Sequence, residues 1–263
     1  MEKPNYAETA EFIRNDLRLK TMPIAIKFLK DKTGFPDKTR QPSTALGKKV
    51  TICQAVTMAR VYGWTMGLTR DDLICVPAMV AFGLSGADDP GASLASLFCE
   101  IGFHSSEKAA ATEIESMARL SNGEYGALLL APLARTAVEP DTVTIHGNPA
   151  QVMRLVQAWT YRSGERVPGH FGGKIECTEY LVAPFKSGAP RVAIPGNGDR
   201  IFSMTQDDEI VFGLPGKGLD ALVQGLREAG SKIGARYPVT FYQNFQPEFP
   251  KAHKALGAKL GIV

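Results

Sequence analysis

Two stretches of this chain can be written one above the other. Gln54 to Trp64 reads QAVTMARVYGW and Pro149 to Trp159 reads PAQVMRLVQAW, with Met58, Val61 and Trp64 matched at a constant offset by Met153, Val156 and Trp159. Each stretch is followed by an apolar run opening on a cysteine, CVPAMVAF at Cys75 and CTEYLVAPF at Cys177. A helix and then a strand-like segment, used twice, restricts the fold to one in which two similar units share a core. The expectation is an α+β protein with mixed, largely antiparallel sheets and helices. Its two diverged helix–strand halves, about residues 50–84 and 148–185, would be related by pseudo-twofold symmetry that sets Cys75 opposite Cys177. Cys53, just ahead of the first helix, has Asn148 as its counterpart, so the symmetry fails where a functional thiol could sit.

Periodicity supplies the remaining elements. Residues 5–19 carry Phe12, Ile13, Leu17 and Leu19 on one helical face, and Ile24 to Leu29 alternates as a strand. Lys30 to Lys49 is polar, contains Pro36 and Pro42, and reads as a loop. Pro77 argues against a regular helix in the run after Cys75. Ser93–Phe103 and Ser106–Leu120 read as helices, the second with a serine start. Tyr125–Pro132 is nearly all apolar and so reads as a central strand, followed by another at Thr142–Ile145. Cys177–Pro184, Arg191–Ile194, Ile201–Met204 and Glu209–Leu214 suggest further antiparallel strands, and Leu219–Lys232 a last helix. No linker interrupts residues 1–236, which are expected to form one compact domain. Residues 237–263 read as an aromatic, proline-rich arm, with Tyr237, Phe241, Tyr242, Phe245 and Phe249 among Pro238, Pro247 and Pro250. Such an arm has little regular structure with which to bury itself, and is expected to lie on the body or on a second subunit of a homodimer.

A net charge of +3, with Lys and Arg interleaved among acids, gives no basic surface for nucleic acid. No apolar run approaches the roughly 20 residues that span a bilayer, and the N-terminus has no secretory apolar region. A cytoplasmic protein is expected, and its four cysteines as reduced thiols or ligands.

Chemistry concentrates at those cysteines. Thiolates hold soft metals and iron–sulfur clusters, yet no Cys-x-x-Cys occurs here, so ligands would have to converge from separate segments. Cys53, Cys75 and Cys177 are the metal-site candidates, with buried apolar packing as the alternative. At a helix start Cys53 would be expected to have a lowered pKa. His170, in the loop before Cys177, is the candidate further ligand, and His146 could serve similarly or move protons. Cys99, inside SLFCEIGF, reads as core. The run Gly196-Asn197-Gly198-Asp199-Arg200 could shape a nest for a ligand, Arg200 and Arg60 supplying cations, or could be a tight turn. Asp207-Asp208-Glu209 reads as a solvated strand edge rather than a cation site. No nucleophile-elbow, zinc-protease or phosphate-loop motif supports a hydrolase or kinase.

Taken in order, MPIAIKF, TICQAVTMAR, ICVPAMVAFGL, YGALLLAPL, VTIHGNPAQVMRLVQAWTY, IECTEYLVAPF and GDRIFSMTQDDEIVFGLP resemble the uncharacterised domain-of-unknown-function family 169, over about Ala10 to Gly230. The family is found largely in anaerobes. Its cysteine pattern is similar to Cys53, Cys75 and Cys177, and Cys99 has no match in it. Some relatives carry further cysteines where this chain has Gly196 to Asp199, and often Cys-Pro-Gly where it has Cys75-Val76-Pro77. The resemblance implies a functional thiol site, and the preferred reading of it is an iron–sulfur cluster, of which 4Fe–4S is one type, on Cys53, Cys75 and Cys177. The fourth position would be open or filled by His170, His146 or Cys99, and the site would serve a small-molecule ligand or a redox partner. Two other readings stay open. One is a metal-free binding module for a small anionic metabolite; the other is thiol catalysis with Cys53 as nucleophile and a histidine as base.

Overall fold

Side-chain alternation along the first strand divides the core in two. β1 (Ile24–Leu29) turns Ile24, Ile26 and Phe28 to one face and Ala25 to the other. Five more strands complete the sheet: β2 (Met66–Thr69), β3 (Ala127–Pro132), β4 (Thr142–Gly147), β5 (Arg191–Ala193) and β6 (Ile210–Pro215). Their order is β2-β3-β1-β4-β6-β5, every neighbouring pair antiparallel. Read outward from the centre, β1, β3, β2 on one side answer β4, β6, β5 on the other. The structure, a computed structural model, describes residues 5–86, 90–238 and 248–262.

Helices cover both faces, as an α+β protein requires when each side of its sheet is apolar. Over Ile24, Ile26 and Phe28 lie α3 (Ile52–Arg60), α4 (Val76–Ala81) and a π-helical turn, Thr178–Val182, that runs into α8 (Ala183–Ser187). Beneath Ala25, Val143 and Ile145 lie α1 (Tyr6–Leu17), α7 (Pro149–Ser163) and α10 (Leu219–Glu228). A satellite cluster joins α5 (Pro90–Glu100) and α6 (Glu107–Ser116) to the edge of α4 through Leu94, Phe98 and Ile114. The single turn α2 (Pro42–Ala45), the short α9 (Asn197–Phe202) and the terminal α11 (Lys251–Lys259) complete the helices among the described residues. None of those helices is long and apolar enough to cross a membrane.

The two similar stretches become α3 and α7, and both begin with the same capping chemistry. Thr51 and Gln54 form a capping box on α3, Asn148 and Gln151 one on α7. The helices cover opposite faces of the sheet, and a superposition of one half on the other is not shown. Their likeness is that of two capped amphipathic helices that each bury one stripe.

Several local expectations change for identifiable reasons. The apolar runs after Cys75 and Cys177 fold as helical segments, not strands; a short apolar run fits either period. Pro77 falls in the first turn of α4, where its missing N–H costs nothing. The glycine loop starts α9, with Gly196 as N-cap and the Asp199 carboxylate accepting the Gly196 N–H at 3.1 Å, so residues 201–204 do not form a strand. The acidic run divides: Asp207 and Asp208 are exposed, whereas Glu209 is buried against Arg60. Of the expected arm, Phe241, Tyr242 and Phe245 lie outside the described residues, and Lys251–Lys259 forms a helix that buries no residue.

Candidate functional site

The starts of α3 and α4, residues 174–177 and α9 surround a cavity of about 690 Å3. Cys53, Cys75 and Cys177 all line it, with Asn197, Gly198 and Asp199 beside them. These three cysteines come from segments far apart in sequence. Cys53 sits in the first turn of α3, Cys75 is the N-cap of α4, and Cys177 directly precedes the π-helical turn. The remaining wall is mostly apolar: Leu97 and Phe98 of α5, Ile101 and Phe103 just beyond it, and Phe202 of α9. Among the described residues, no group of three or more His, Cys, Asp or Glu side chains is arranged to hold a single metal ion.

Polar partners fix the thiols individually. Cys53 Sγ lies 3.0 Å from Thr51 Oγ1, and its thiol donates to the Gly198 carbonyl at 3.4 Å, which ties α3 to α9. The Ala78 N–H donates to the Cys75 sulfur. Asp199 is buried; it accepts from Tyr180 Oη at 2.7 Å and from the Gly196 N–H. Burial and then the Asp199 charge push the Cys53 thiol up to about 12, against the opposing pull of Thr51. Burial likewise raises Cys75, and it raises Cys177 well above the ordinary thiol range, with Asp199 and the neighbouring thiols adding to the shift at Cys177. The expectation of a depressed Cys53 pKa is therefore overturned. A helix start offers partial positive charge, but desolvation beside a carboxylate outweighs it.

Next to Cys177, Glu176 accepts the Gly172 and Gly173 N–H groups on Oε1 at 2.5 and 2.6 Å, while its buried Oε2 has no hydrogen-bond partner among the described residues. Burial pushes its carboxyl up to about 7. Between Lys174 and Glu176, Ile175 lines the cavity with φ at +55°, a conformation that a β-branched residue adopts only when its surroundings impose it.

Other candidates lie elsewhere. Arg60 is 1% exposed and bonded through both terminal nitrogens to Glu209, at 2.7 and 3.1 Å. Arg200 reaches the Gln206 carbonyl and Asp207, and it does not line the cavity. His170 lines a separate hollow of about 80 Å3 with Glu113, Glu176 and Glu179. His146 is buried edge-on to Tyr180, and burial holds its pKa well below the ordinary value. Cys99 is half-buried on α5, away from the cavity. Sequence reasoning missed the aromatic wall, because Phe98 and Phe103 carry no pattern that separates a cavity lining from a core. It also missed Lys174, whose ammonium packs over both rings and pairs with Glu113 at 2.5 Å.

Fold and site define an open-sheet α+β protein with a thiol-floored, apolar cavity on one face. The chain belongs to the uncharacterised ArCR family, domain of unknown function 169, whose model matches residues 13–225. It is similar to the uncharacterized protein MJ0308 of Methanocaldococcus jannaschii, 25% identical over 227 residues that cover 86% of this chain and 95% of that one. No solved structure matches it.

Proposed function

We propose that this protein binds a small molecule in the cavity beside an iron–sulfur cluster held by Cys53, Cys75 and Cys177. One observation carries the reading: three cysteines, remote in sequence, line the same cavity. Thiolate sulfur is the donor such clusters use, and a cubane takes its thiolates on different irons, so they need not crowd round one ion. The arrangement meets the chemistry of the group in two further ways. Thr51 and the Ala78 N–H stand at the sulfurs of Cys53 and Cys75, the kind of hydrogen bond that tunes cluster potential. The nine-residue α3 directs the positive end of its dipole at Cys53.

With His170 off the cavity, no fourth protein ligand is assigned among the described residues. A bound cluster would supply a Lewis-acidic iron there. Asp199, held by Tyr180 and Gly196, fixes the polarity of the cavity floor, and Phe98 and Phe202 give it an apolar wall. A cytoplasmic location, a redox partner and pairing of two copies through the C-terminal residues belong to the same proposal. Exposed Phe249, Leu256, Leu260 and Ile262 on and around α11 support the pairing.

The raised pKa values favour a second reading, a metal-free binding protein whose neutral thiols are simply wall. Single Cys→Ser changes decide between the two. In anaerobically prepared protein, Cys53→Ser, Cys75→Ser and Cys177→Ser should each abolish bound iron, and Cys99→Ser should retain it. Equal iron content in all four variants would remove the cluster.

A further inference from the structure

The wall of the cavity carries information about its ligand that neither reading of the thiols uses. We infer that the cavity receives an apolar organic monoanion, with an aromatic or branched body lying on the phenylalanine wall and a single anionic group at Lys49. The inference rests on this cavity as the functional site, which both readings share, and not on what the thiols hold.

Size sets the first limit. About 690 Å3 lies within the range of sites that enclose drug-sized molecules. Wall chemistry sets the second. Leu97, Phe98, Ile101, Phe103 and Phe202 all line the cavity with apolar side chains, and Phe103 and Phe202 are 43% and 55% exposed although both are large and aromatic. Aromatic area left open around a concave site marks a place that a ligand or partner covers.

Charge sets the third limit. Among the described residues, two lysines are the only cations that line the cavity. The Lys174 ammonium is already matched by Glu113 at 2.5 Å and lies over the Phe98 and Phe103 rings. Lys49 is exposed at the rim and has no ion pair or hydrogen bond among the described residues. One free positive charge suits one negative charge. Polyphosphates need several cations or backbone donors, and here they would meet the buried Asp199 instead.

Equilibrium dialysis with two probes of identical body tests the proposal. 8-Anilinonaphthalene-1-sulfonate carries one anionic group; N-phenyl-1-naphthylamine lacks it. Full-length protein should bind one molecule of the sulfonate, and Lys49→Gln should weaken it about tenfold while leaving the amine within twofold. Gly198→Leu should weaken both probes at least tenfold. A Cβ at Gly198 meets only Cys53 Sγ at 3.8 Å and Phe202 Cδ2 at 3.9 Å, so the larger side chain fills the cavity. Should that variant melt early, Val76→Asp, at a rim position that is 53% exposed, introduces a charge into the same lining and should give the same losses. Pyrophosphate should not compete. No sulfonate binding, binding indifferent to the cavity variants, equal effects of Lys49→Gln on both probes, or competition by pyrophosphate would each overturn the inference. Iron measured in the same samples separates the two proposals. Bound iron without sulfonate binding sinks the ligand class alone; sulfonate binding without iron sinks the cluster alone.

Discussion

Replacing Glu209 by Gln should destabilise this protein far more than neutralising either acid beside it. Arg60 is 1% exposed, and among the described residues Glu209 is the one carboxylate bonded to it, with Nη1 2.7 Å from Oε1 and Nη2 3.1 Å from Oε2. Its other acceptors are neutral, the Thr21 hydroxyl at 3.3 Å and the Met204 carbonyl at 3.2 Å, and Nε has none among the described residues. Removing one partner of a buried pair strands the other charge, at a cost of about 3–5 kcal/mol. At about 2–4 °C per kcal/mol for a domain near this size, that is roughly 6–20 °C in melting temperature. Asp208 meets Lys20 at 3.5 Å with both side chains more than half exposed, and Asp207 is fully exposed, so Asp207→Asn and Asp208→Asn should leave the melt unchanged. Urea denaturation followed by circular dichroism reads the difference as a lowered midpoint at constant slope. The double change Arg60→Met, Glu209→Leu should recover at least half of the loss, because no charge is then stranded. A Glu209→Gln midpoint equal to that of Asp208→Asn would show that no buried charge is stranded.

Three further outcomes follow from single contacts. In metal-free protein the Cys53 thiol, raised from 9.0 to about 12, should react with iodoacetamide at rates that climb through pH 9 to 12 instead of levelling near 9, as read by mass spectrometry. The sign for stability follows: the folded state favours the neutral thiol, so this contribution is whole below about pH 9 and is lost as pH rises towards 12. Gly225→Ala should destabilise by about 1–3 kcal/mol despite its better helix propensity, because the new Cβ would fall on the Ala158 carbonyl oxygen where α10 crosses α7; a stabilised variant would disprove that packing. Thr51→Ala should cost about 1 kcal/mol through loss of the α3 cap, and Thr51→Ser should restore most of it.

How much was legible in the sequence depended on whether neighbours or distant contacts decided each element. β3 is apolar at all six positions and is buried between β2 and β1, so its central place could be read directly. β2 could not: Met66-Gly67-Leu68-Thr69 is short, and its pairing partner lies some sixty residues on. A Cβ at Gly67 would strike Phe35 and Thr39, so that glycine records a close approach rather than a turn. The loop at 195–200 has the composition of a hairpin turn, and only the Asp199 bond to Gly196 shows that it starts a helix. At the site, residue type placed the three cysteines and the glycine loop together, whereas burial, which the sequence does not display, reversed the expected pKa of Cys53. Arg60 and His170 were chosen by charge and chemistry alone; their positions depend on Glu209 and on the 172–176 loop.

Iron and acid-labile sulfide, measured with the visible spectrum of full-length protein purified without oxygen from iron-replete cells, decide whether the three cysteines hold a cluster. A cubane gives brown protein with a broad absorption shoulder, about four irons and four sulfides per chain, and loss of colour in air. Colourless, iron-free protein from that preparation, with all four thiols titrating as free, would contradict it.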